Sequence, residues 1–133
     1  MPNTQASGVA YSDPEFSTCY ATQEIGYSAA AQGTVTQATS KSTGVTLNKS
    51  AGRITMNAAN LGATSAVNFT LTNNLISTND TLIVCVSGGG TADAYTAYVS
   101  SLAAGSAVIT LRNFTAGILG EAVIINFAII HGA

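Results

Sequence analysis

Asp13 and Glu15 stand on either side of Pro14. Two carboxylates so close could act as a general acid and a general base, one keeping the proton that the other gives up. That work needs neighbours that separate the two proton affinities, and nothing beside them in the chain supplies any. A solvated turn is the expected role. His131, the one histidine, is the third residue from the end, so no Ser-His-Asp group has a scaffold and no multi-histidine metal site exists. Cys19 and Cys85 are too few for a disulfide framework. Cys85 lies in the apolar run LIVCV and reads as a small buried hydrophobe. Gly88-Gly89-Gly90 lacks the following lysine and helix of a phosphate loop, and reads as a permissive hairpin turn. Asn48, Asn68, Asn79 and Asn113 each open an N-x-Ser/Thr triplet, expected by chance in a chain this rich in Thr and Ser. These residues point to no reaction, no metal and no cofactor; the chain is expected not to be an enzyme.

Composition points elsewhere. Only 8% of the 133 residues are charged, against roughly 25% in ordinary soluble domains. Charge opposes association, so a surface this poor in it suits contact with other protein. The net charge of −2 and the lack of a Lys/Arg cluster argue against a nucleic-acid partner. The amino end has neither the basic nor the apolar stretch of a signal peptide, and the apolar stretch 121–130 is too short to span a bilayer as a helix, so no membrane partner is expected.

The elements that would position any site are short strands. Residues 34–37, 43–47, 53–56, 66–72, 81–86, 94–100, 107–112 and 121–131 are apolar or alternating stretches divided by Gly, Asn and Ser. In 66–72, Val67, Phe69 and Leu71 take one face while Asn68, Thr70 and Thr72 take the other. The run at 81–86 suits a strand covered on both sides. The last strand is also apolar on both sides, with Val123, Ile125, Phe127 and Ile129 opposite Ile124, Ala128 and Ile130. Helix signals are confined to 28–32 and one turn at 57–61. An all-β sandwich follows, with jelly-roll wiring as the finer expectation.

Residues 1–32 differ. They lack alternation, carry Asp13, Glu15 and Glu24 without a basic residue, and hold Tyr11, Phe16, Tyr20 and Tyr27. Aromatic rings on an acidic strap fit an extended arm that orders on docking, ahead of a sandwich domain at 33–133.

The run GTVTQATSKSTGVTLNKSAGRITMN from Gly33, then VNFTLTNNLISTNDTLIVCVSGG and ITLRNFTAGILGEAVIINFAII, resembles a β-rich domain of tailed-bacteriophage virion proteins. The resemblance covers 33–130 and implies a homotrimer. It implies either a capsid decoration (cement) protein or a fibre-type appendage. A small protein with a strap and one compact domain, lacking heptads or a repetitive stalk, fits the first role better. The expected partner is then the phage major capsid protein, on the outer surface of a virion assembled in the bacterial cytoplasm. Tyr11, Phe16, Tyr20 and Tyr27 are the expected capsid grips, and Ile124, Phe127 and Ile130 the expected trimer contacts. A fibre component would instead use the loops at 73–80 and 88–93 to hold a host surface glycan.

Overall fold

A computed structural model describes residues 15–132; Tyr11 and Asp13 lie outside them. One turn of 3-10 helix, Ala29–Ala31, precedes eight strands: β1 (Gln32–Thr36), β2 (Val45–Thr46), β3 (Ala51–Thr55), β4 (Ala66–Thr72), β5 (Thr81–Gly88), β6 (Tyr95–Ala103), β7 (Ser106–Asn113) and β8 (Ile124–Ile130). They form two four-stranded sheets, in the orders β1-β3-β8-β5 and β2-β4-β7-β6. The all-β sandwich expected from the alternation is what the chain forms. Jelly-roll wiring is not confirmed: β1–β3 and β2–β4 run parallel, whereas Greek keys join antiparallel strands.

Period-two patterning decides which faces meet. In the first sheet Val35, Ile54, Ile125 and Val86 form one inward row across the register, and Phe127 and Val84 belong to the next. In the second, Phe69, Ile109 and Val99 lie in register, as do Val67, Leu111 and Ala97. These rows interlock into one apolar core in which Ile54, Leu71, Ile109, Leu111, Ile125 and Ile129 are fully buried. Where the core thins beside β1, Gly33 and Gly52 lie opposite each other. A Cβ on Gly52 would stand 2.6 Å from Leu47 and 2.9 Å from both the Phe127 ring and the Gly33 carbonyl. Leu47 therefore seats against bare backbone.

Buried amides tie the loops at the sandwich ends. Gln37 donates to the carbonyls of Lys41 (3.0 Å) and Thr43 (2.9 Å) and accepts from the Asn57 N–H (3.0 Å). Asn73 donates to the Lys49 carbonyl at 2.7 Å. Asn113, fully buried, donates to the Gly62 and Gly117 carbonyls and accepts from Thr115. Such amides satisfy loop backbone that no strand can pair. The stretch expected as a helical turn at 57–61 is irregular, closed by a bridge between Leu61 and Leu119.

Candidate interaction surface

The outward sides of the two sheets are chemically unlike. On the second sheet, Asn68, Thr110 and Tyr98 lie in one row, and Arg112 and Thr96 in the next. Thr110 donates to Asn68 Oδ1 at 2.8 Å and shares a hydrogen bond with Ser100. Thr110 itself is buried, and its hydroxyl is satisfied by the exposed Asn68 and Ser100.

On the first sheet the polar side is β1 and β3, and the apolar side is β8 and β5. Thr34, Arg53, Asn126 and Cys85 form one row; Gln32, Ala51, Ala128 and Ile83 form the next. Ile83 is 50% exposed and Ile130 56% exposed, with Ile124 half-buried beside them. Two expectations change here. The 81–86 strand is covered on one side only, because β5 ends the sheet and its outer residues meet no second layer; Cys85 is exposed, not buried. Phe127 does not share a face with Ile124 and Ile130. It points inward, 4% exposed, so it serves the core and leaves the other two on the outside.

The arm meets this sheet at its root. Residues 15–30 are exposed throughout, with Phe16 at 69%, Tyr20 at 92% and Ile25 at 85%. Among the described residues only its root is attached. The Tyr27 hydroxyl donates to the Ile129 carbonyl, Gln32 Nε2 donates to the Tyr27 carbonyl (2.9 Å), and Lys49 Nζ donates to the Ala30 carbonyl (2.9 Å). Tyr27, expected among the capsid grips, is thus turned onto its own sheet by its hydroxyl. Beneath it lies an open groove of about 690 Å³ lined by Gly26, Tyr27, Thr34, Arg53, Asn126 and Ala128, among others. Arg53 Nε reaches Asn126 Oδ1 at 3.5 Å, and Ser87 donates to the same oxygen at 3.1 Å.

Lys41, Glu121 and Asp80 tie loops of the fold together. Lys41, buried at 3% exposure, donates to the carbonyls of Asn57 (2.6 Å) and Glu121. Burial pushes its proton affinity down, and the Glu121 charge partly restores it. The Glu121 carboxylate accepts from the Thr91 N–H and hydroxyl and from the Tyr95 hydroxyl. The Thr91 N–H is the main cause that lowers the Glu121 pKa, while burial pushes the Tyr95 phenol up. Asp80 accepts from the N–H and hydroxyl of Ser77, from the Gly132 N–H at 3.1 Å, and pairs with His131 Nδ1 at 3.1 Å. Backbone donation from Ser77 leads the causes that bring its pKa to about 2, against desolvation.

The expected residues therefore part company. Glu15 is exposed, and its partner Asp13 lies outside the described residues. His131 is surface-exposed and engaged with Asp80. Among the described residues no group of three or more His, Cys, Asp or Glu could hold a metal ion, and no helix is long and apolar enough to cross a membrane. Of the four triplet asparagines, Asn113 is sealed in the core. Sequence reasoning missed Arg53 and Lys41, since a single charged residue carries no periodic signal. No family model, curated protein or solved structure matches the chain.

Proposed function

We propose that the chain is a structural protein of a tailed-phage virion, a decoration (cement) protein that self-associates as a trimer and bridges neighbouring major capsid proteins with its arm. The observation that carries this reading is the pairing of one half-apolar sheet face with an exposed, ring-bearing arm that leaves from the same sheet. The resemblance of residues 33–130 to phage virion domains supports the setting. Ile83, Ile124 and Ile130 are the apolar contacts between copies. Phe16 and Tyr20 are the grips on the shell, with Tyr11 ahead of them. Tyr27 is the fastening at the root.

Three arms on one knob make the second and third attachments intramolecular, so modest single contacts add to firm binding. Binding the expanded shell in preference to its looser form stabilises it by mass action. The test is the full chain carrying Phe16→Ala and Tyr20→Ala, compared with the parent for sedimentation with capsids of the cognate major capsid protein. Capsid binding is expected to fall while the oligomer persists. Unchanged binding rules out the arm mechanism, and attachment to host cells in place of capsids moves the protein to a fibre role.

A further inference from the structure

We infer that the groove over β1, β3 and β8 receives the acidic arm of a second copy of this chain, with the Glu24 carboxylate on the Arg53 guanidinium. The inference rests on the self-association proposed above and specifies the contact that directs it.

Charge complementarity is the argument. Residues 1–32 carry Asp13, Glu15 and Glu24 with no base, and the four cations all follow. Of those four, Arg53 is the one that lines the groove. Lys41 is buried against two carbonyls, Lys49 donates to Ala30, and Arg112 lies 5.2 Å from the centre of the Phe114 ring. Among the described residues Arg53 has only a long contact to Asn126 Oδ1, and the one ion pair is Asp80 with His131. A guanidinium in a groove with one weak neutral partner is suited to a forked carboxylate contact.

The chain's own Glu24 is three residues from Tyr27, which roofs this groove, yet among the described residues it makes no ion pair and stays exposed. The root fixes Tyr27 on the sheet while the preceding described residues stay exposed. A second copy can bring the same segment in from outside. From Gly26 to Glu15 the strap can span on the order of 35–40 Å, enough to leave one knob and reach the next. Glu24 is on the root side of Tyr20 and Phe16, so its capture leaves both rings beyond the groove for the shell.

The test uses full-length chains with Glu24→Arg or Arg53→Glu, followed by sedimentation equilibrium at low salt. Each change alone is expected to weaken association by about tenfold or more, equivalent to about 1.4 kcal/mol. The doubly reversed chain, Glu24→Arg with Arg53→Glu, should regain association, because every contact between copies then pairs opposite charges again. Both side chains are exposed, so thermal melts should match the parent; Arg53→Gln gives a second, milder variant with a smaller loss. An oligomer indifferent to both reversals, or a doubly reversed chain without recovery, overturns this inference and leaves the proposed function standing. A parent chain that stays single at high concentration overturns both. Loss of capsid binding by Arg53→Glu with an intact oligomer also overturns it, and assigns the groove to an acidic segment of the shell.

Discussion

The outward faces of the two sheets are built from the same short strands, yet they are suited to different surroundings. On β4, β6 and β7 the outward residues are largely hydroxyls and amides that bond one another, as Asn68, Thr110 and Ser100 do. On β5 and β8 they include Ile83, Ile124, Ala128 and Ile130, whose side chains can bond nothing, around the single polar pair Ser87–Asn126. With so few charges to keep the chain dispersed, solubility depends on which face is turned to water. A face of hydroxyls can stay wet, whereas a face of isoleucines gains by being covered, at about 25 cal/mol per Å² removed from water.

The sharpest way to separate inside from outside is along one strand. Phe127→Ala is expected to cost about 3–5 kcal/mol in chemical unfolding. Ile130→Ala on the outer side should cost under about 1 kcal/mol in the isolated chain. Equal losses would mean that the strand is not one-sided. Next in size is Gly52→Ala, which forces Leu47 or the Phe127 ring to move and should destabilise by about 1–3 kcal/mol; an unchanged urea midpoint contradicts the close seat described for Leu47. Between the faces themselves, Ile83→Asp should abolish self-association in light scattering while Thr70→Asp leaves it intact. If both or neither act, the contrast between the sheets has no bearing on assembly.

Acid supplies a further test at the end of β8. Asp80 has a folded pKa of about 2, below its ordinary 3.8. Its contribution to stability is therefore present above about pH 4 and lost as pH falls toward 2. Melting temperature should drop across that window in the parent, and the drop should shrink in Asp80→Asn; parallel curves refute the assignment. The smallest effect expected is that of Cys85→Ser, within about 0.5 kcal/mol of the parent because the thiol faces outward.

Much of the sandwich was legible because period two survives in the letters. The alternation of Val67, Phe69 and Leu71 predicts β4 with its bounds, and every other expected strand overlaps an observed one. β1 begins earlier than expected because Gln32-Gly33 carries no apolar signal and is held by pairing with β3. The LIVCV run misled for a different reason: apolar residues on both sides of a strand do not reveal whether one side or two are covered within a single chain. Composition marks out the arm, but not that Tyr27 turns back onto its own sheet, since that depends on a carbonyl a hundred residues away in the chain. The groove was invisible, because three strands and the arm root meet to form it.

One feature of the root has a mechanical side. The arm joins the sandwich just ahead of β1, which among the described residues is an outermost strand paired with the parallel β3 alone. A tug along that strand must first break the Tyr27 and Lys49 fastenings and then load the whole β1–β3 ladder in shear. A tug across it unzips the ladder one bond at a time. A tether mounted in this way resists hardest along one direction, so the bearing of the arm sets how much tension the knob withstands.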